Sequence, residues 1–117
     1  MTNLIYHICR RDEWYAAQET GSYDGSSQDI EDGFIHFSTA AQVRTSAAKH
    51  RWGQTDLVLL TVDPEVLAST LKWEPSRGGQ LFPHLYGSLK VSGVLRADPI
   101  DLSDDGNHIF PEHVPEE

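Results

Sequence analysis

Gly33-Phe34-Ile35-His36-Phe37-Ser38-Thr39 reads as a strand over Phe34 to Ser38 that runs directly into a helix. Aromatic and β-branched residues dominate it, which suits a pleated, half-buried surface. Side chains alternate faces along a strand, so His36 and Ser38 point together, away from Ile35 and Phe37. Thr39, followed three residues later by Gln42, has the capping-box spacing that opens a helix. Beyond it, Val43, Ala47, Ala48 and Trp52 fall on one stripe suited to burial. Lys49, His50 and Arg51 occupy the last turn, where cations suit the helix dipole, and Gly53 ends it.

Working outward, Leu4 to Cys9 is a short β-prone opening strand on which His7 lies with Ile5 and Cys9, opposite Leu4, Tyr6 and Ile8. Asp12 caps a helix running to about Thr20, with Gly21 as its stop. Ser22 to Gly33, rich in Ser, Asp and Gly, is expected to be a loop. Leu57 to Val62 is nearly all apolar and reads as a central strand. Asp63-Pro64 begins a turn with one helical turn over Glu65 to Leu67, and Leu71 to Glu74 is a strand ending at Pro75. Arg77-Gly78-Gly79 is a turn. Leu81 to Tyr86 is extended, but Pro83 places it at a sheet edge or in a loop. Val91 to Arg96 is a last strand in which Gly93 marks a bulge. The sum is an α+β fold, mainly antiparallel, with two helices. Residues 1–103 form the compact domain and 104–117 an acidic, Pro-containing tail.

Eighteen acidic against nine basic residues give a net charge of −9. That charge repels phosphate backbones and anionic lipid surfaces, so nucleic acid and membrane are disfavoured as partners. The apolar run 57–62 is far too short to cross a bilayer. One cysteine, Cys9, permits no internal disulfide and fits a reducing compartment. With no basic-then-apolar leader at the N-terminus, a cytoplasmic location is expected. Any protein partner is left open by the sequence.

Chemistry concentrates in two places. If Leu81-Phe82-Pro83-His84-Leu85-Tyr86-Gly87 is extended, Phe82, His84 and Tyr86 share one face, an aromatic wall carrying an imidazole and a phenol. His36 and Ser38 supply another imidazole and a hydroxyl. A zinc site from His7, His36 and His84 lacks the tight local pairs typical of such ligands, so no metal is expected. The GxSxG elbow of serine hydrolases is absent. Cys9 on an apolar strand is core material more readily than a thiolate. Thr39 and the free N–H groups of Ala40 to Gln42 offer an anion site. Arg51 and Arg77 are either anion partners or surface charges, and Glu31 and Asp32 read as turn residues. Glu74, after Trp73 at a strand end, is the candidate carboxylate.

These segments, Gly33 to Thr39 with Gln42, then Glu74, then Phe82 to Gly87, resemble the signature of a small bacterial family of unknown function. The likeness covers Leu4 to about Leu95. The resemblance implies an ADP-ribosyltransferase-like fold, two small antiparallel sheets around a dinucleotide cleft, with NAD as substrate. It implies His7 as the first-strand ribose contact, Ser38 and Thr39 as the second-strand element, and Tyr86 with Phe82 as stacking rings. His36, His84 and Glu74 would be catalytic, although no carboxylate stands at the late strand where that superfold carries its glutamate. The partner implied is a nucleotide-type small molecule. An RNA 2′-phosphotransferase-like enzyme resembles the superfold too, but few arginines and the acidic charge fit it poorly. The alternatives are a non-catalytic ligand sensor or partner-binding module on the same fold, and a His-dependent phosphotransferase or hydrolase of a small phosphorylated metabolite.

Overall fold

The computed structural model of the protein describes residues 3–76 and 79–115. Arg77 and Gly78 of the expected turn, and Glu116 and Glu117 of the tail, lie outside the described residues. Leu57 to Val62 forms β5 (Leu57–Val62), with all six residues buried. It sits in the middle of a five-stranded antiparallel sheet between β1 (Ile5–Arg10) and β9 (Val94–Leu102). Beyond β1 lies β4 (Ser38–Thr39), and beyond β9 lies β10 (His108–Ile109).

The alternation along β1 divides the core between the two faces of this sheet. Ile5 and Cys9 join a cluster with Trp14 and Ala17 of α1 (Arg11–Thr20), Ile35, Phe37 and Leu85. Tyr6 and Ile8 join another with Val43 and Ala47 of α3 (Ala40–His50), Ile100 and Val114. A second sheet of three strands packs on the first face in the order β3 (Ile35–His36), β7 (Leu81–Leu85), β6 (Leu71–Pro75). β2 (Ser22–Tyr23) pairs with β8 (Leu89–Lys90).

Several expectations are corrected. The stretch Ser22 to Gly33 is not a plain loop but contains β2 and a third helix, α2 (Ser27–Asp32). Ser26 caps α2 and Gly33 ends it in the left-handed conformation. The single strand Phe34 to Ser38 is split at Phe37, with β3 pairing to β7 and β4 pairing to β1. His36 and Ser38 therefore belong to different sheets. The N-cap of α1 is Arg10, not Asp12. Ala48 is exposed, and Trp52, 62 % exposed, lies past the end of α3, so the buried stripe of that helix stops at Ala47.

Pro83 does not mark an edge, because β7 is the middle strand of its sheet. In an antiparallel pair a residue's N–H and C=O point to the same neighbour. The Pro83 carbonyl accepts from Phe37 N at 2.9 Å, so its missing N–H falls where β3 breaks off and leaves the β6 ladder whole. The last strand begins at Val94. Gly93 belongs to a preceding 3₁₀ turn, and the register shift falls opposite Thr61 and Val62.

The stretch from Asp104, read from composition as a tail, carries β10 and returns to the core. Val114 is buried, and Arg44 donates to the carbonyls of Val114 and Pro115 at 2.9 and 2.8 Å. Val114→Ala is accordingly expected to lower unfolding stability by about 2 kcal/mol, measured by urea denaturation. A change near zero would mean that the segment does not pack in solution.

Candidate functional site

On the three-stranded sheet, residues directly opposite share a face. His36 stands opposite His84, Lys72 opposite His84 on the other side, and Glu74 opposite Phe82. Alternation adds Phe34 and Tyr86, so one face carries Phe34, His36, Phe82, His84, Tyr86, Lys72 and Glu74. The Phe34 ring stacks on His84 at 4.2 Å between centroids and touches His36 and Tyr86 at 4.5 and 5.2 Å. The two imidazoles meet edge to face at 5.5 Å.

Glu74 is the polar centre of this face. Its Oε1 accepts from Tyr86 Oη at 2.7 Å and from His84 Nδ1 at 2.8 Å. The phenol's hydrogen bond first, then that of the imidazole, holds Glu74 below the usual carboxylate range. The carboxylate is therefore ionised at neutral pH. It fixes the Nδ1–H tautomer of His84, whose Nε2 is left uncommitted to it.

A second carboxylate lies behind His36. Asp29 on α2 is 3 % exposed. Its Oδ2 accepts from Ser26 N at 2.7 Å and Ser26 Oγ at 2.9 Å, while Oδ1 accepts from His36 N at 3.1 Å and His36 Nδ1 at 2.5 Å. Burial alone would raise its pKa, but the His36 imidazole, His7 and these N–H groups outweigh it and hold the carboxyl below its ordinary range. The approach is so close that a Cβ on Gly25, whose φ is +102°, would stand 2.6 Å from Asp29 Cβ. His36 Nε2 faces Asp32 Oδ2 at 3.1 Å.

His7 is sealed behind both. Nδ1 lies 2.6 Å from the His36 carbonyl, which can only accept, so Nδ1 carries the proton. Nε2 then accepts from Tyr23 Oη at 2.6 Å. Burial is the main cause of a lowered His7 pKa and keeps the ring neutral. Burial likewise pushes Tyr23 up, which keeps its phenol a donor, and pushes the Cys9 thiol up to about 12.

Asp29 and Asp32, together with the three imidazoles, border a cleft of about 670 Å³ between β1, α2, α3 and β7. It exists because β4 is two residues long and pairs only with Ile5 and Tyr6, so the rest of that β1 edge has no strand beside it. Arg51 covers the gap by donating to the Ile8 carbonyl at 3.0 Å. His7, His36, Ser38, Phe82 and His84 line the cleft. Ser38 Oγ shares a 3.1 Å hydrogen bond with Ser46 Oγ on α3. Glu74 and Tyr86 stand just behind His84. Thr39 is apart, its backbone N–H donating to Gln42 Oε1 at 3.0 Å as α3 opens, and that helix opening does not line the cleft. Among the described residues no three His, Cys, Asp or Glu groups are set to hold a metal ion. No helix among them is long and apolar enough to cross a membrane.

Asp29, Tyr23 and Phe34 are absent from the residues singled out above. Ser26-Ser27-Gln28-Asp29 has capping-box spacing, so the helix bearing Asp29 was within reach of the sequence. Phe34 is two residues from His36 and must share its face. No local pattern announces Tyr23.

Residues 8–97 match a family described as a protein of unknown function, DUF952. The chain belongs to that family. The X-ray structure of protein CC0527 from Caulobacter crescentus is 50 % identical to this DUF952 chain, covering 95 % of it and 97 % of the relative, with a TM-score of 0.91. The solution NMR structure of CC0527 gives 50 % identity, 94 % and 95 % coverage and a TM-score of 0.83. No curated protein matches the chain.

Asp29 and His7 both bind protons less readily folded than unfolded, so each contributes stability above its unfolded pKa that is lost on acidification. The His7 share fades first, as pH falls below its ordinary 6.5, and the Asp29 share follows below 3.8. Urea unfolding of wild type and Asp29→Asn across that range checks the second step. The variant is expected to be less stable by about 1.5–3 kcal/mol at neutral pH and to lack the step below 3.8. Two parallel curves would show that Asp29 is not the ionised group described.

Proposed function

We propose that this DUF952 domain is an ADP-ribosyltransferase-like fold that binds NAD, or a ligand containing ADP-ribose, in the cleft and acts on the nicotinamide–ribose bond. The observation that carries the reading is Glu74, an ionised carboxylate clamped at 2.7 and 2.8 Å by Tyr86 and His84 on an aromatic sheet face. Breaking that glycosidic bond sends its electron pair to the pyridinium nitrogen and builds positive charge on the ribose. A fixed carboxylate beside the ribose stabilises that charge. Nicotinamide leaves neutral, a hydroxyl nucleophile forms the new C–O bond, and its proton passes to His84 Nε2.

The surroundings support this assignment of roles. Phe82 lines the cleft and provides a flat surface for a nicotinamide ring, Tyr86 and Phe34 stand beside the cleft on the same sheet face, and the cleft volume suits a small ligand. Neither Cys9 nor Ser38 is set as a covalent nucleophile, since the Cys9 thiol is buried and protonated and Ser38 is paired with Ser46. His7 has both ring nitrogens committed inside the protein, so it positions the His36 backbone and does not contact the ribose. The opening of α3, the expected anion site, does not line the cleft.

A proton NMR time course of the protein with NAD tests the reading. Wild type is expected to release free nicotinamide, Glu74→Gln about 10²–10³-fold more slowly, and His84→Ala not measurably. Glu74 is half-exposed and an amide oxygen can still accept from Tyr86 and His84, so Glu74→Gln should remain folded, checked by its thermal unfolding transition. Broadened NAD signals without release would identify a ligand sensor. Unchanged signals would end the NAD reading.

A further inference from the structure

β6 is the outer strand of the three-stranded sheet, with β7 on one side only. Thr70 O accepts from Tyr86 N and Ser76 N donates to Gln80 O, so the even-numbered residues turn their backbone groups toward β7. Trp73 stands opposite Pro83, whose carbonyl is turned to Phe37. Leu71 and Trp73 therefore turn their N–H and C=O groups outward, and among the described residues no strand pairs with them there. The Trp73 side chain is 45 % exposed on the same edge. An uncovered edge of this kind is a template for another strand.

The sequence of that edge is complementary to itself. Reversed about Trp73, Leu71-Lys72-Trp73-Glu74-Pro75 sets Lys72 against Glu74 and Glu74 against Lys72. We propose that β6 pairs antiparallel with β6 of a second copy of the chain, about a two-fold axis at Trp73, joining two three-stranded sheets into one of six. Trp73 then exchanges two hydrogen bonds with Trp73 of the partner subunit, and each Leu71 N–H donates to the carbonyl of the partner's Pro75. Pro75 has no N–H, so the new ladder ends there. A shift of one residue is excluded because Lys72 and Glu74 face β7, and a shift of two loses both charge pairs. Lys72, whose Nζ lies 5.1 Å from the centre of the Tyr86 ring, and Glu74 are on the face that carries His84. The partner's Lys72 therefore stands beside Glu74, and each copy contributes a cation to the other's site. The junction holds whether or not NAD is the ligand.

Sedimentation equilibrium of the full chain tests the pairing at about 0.15 M salt, where the −9 charge of each copy is screened beyond about 8 Å. A junction of five residues a side is small, so a monomer–dimer equilibrium is expected between about 10 µM and 1 mM. Lys72→Glu, at an exposed position, sets like charges opposite and should raise the dimer dissociation constant at least about tenfold while remaining folded by circular dichroism. Cross-linking checks the register. Trp73→Cys brings two Cα atoms to about 5.5 Å, within disulfide reach, whereas Lys72→Cys leaves them about 8 Å apart, beyond it. Cys9 is buried, so the introduced thiol is the one that reacts. Oxidation should give a covalent dimer of the first variant and not of the second. Monomer throughout the range, a dimer indifferent to Lys72→Glu, or equal cross-linking of the two variants would each overturn the junction. None of these readouts involves NAD, so nicotinamide release decides the reading above independently.

Discussion

A carboxylate can leave water only if its charge is matched at close range, and Asp29 is almost wholly out of water. Its match is drawn from two parts of the chain. Ser26 supplies an N–H and a hydroxyl from the cap of α2, and His36 supplies a backbone N–H and an imidazole from β3. None of these groups can move without leaving the charge bare. The start of α2, the path of β3 and the close turn at Gly25 are thus one device. The two sheets meet across it.

The same device sorts the histidines by environment. His7 is walled in, neutral, and donates to the His36 carbonyl, so it braces the strand that carries the next imidazole. His36 is gripped from below by Asp29 and faces Asp32 at 3.1 Å above. His84, opposite it in the ladder, is gripped by Glu74 at the solvent side and stacked on Phe34. Two carboxylate-bound imidazoles therefore stand opposite one another on the paired strands β3 and β7, held by Asp29 of α2 and Glu74 of β6. Side chains set on strands in this way are held more firmly than those on loops.

The features that were legible in the sequence are those decided locally. Leu57 to Val62 could hardly be anything but a central strand, Thr39 with Gln42 opens a helix, and His7 falls with Ile5 and Cys9 by alternation alone. The shared face of Phe82, His84 and Tyr86 follows from the same rule. The break at Phe37 was hidden because nothing in Phe34 to Ser38 states that two different strands, β7 and β1, compete for it. Pro83 misled for a related reason. A proline is penalised only on the side where its N–H is wanted, and that side is known only once Phe37 is in place. Asp29 sat in a Ser- and Gly-rich stretch whose composition suggested a loop and masked its capping spacing. The pairing of Tyr23 with His7 joins residues far apart in the chain, and no period or motif encodes it.

Surface connections commonly absorb extra residues at little cost, because closing a longer loop costs slowly growing entropy. The connection from Gly25 to His36 has no such freedom, although much of it is exposed. Ser26 and Asp29 must stay one helical turn apart, Gly25 must yield space to the carboxylate, and His36 must arrive at its other oxygen. An insertion between Gly25 and Asp29 breaks the cap, and one between Asp29 and His36 separates the charge from its imidazole. Length variation among proteins of this design should therefore be excluded from the segment that most resembles an ordinary loop.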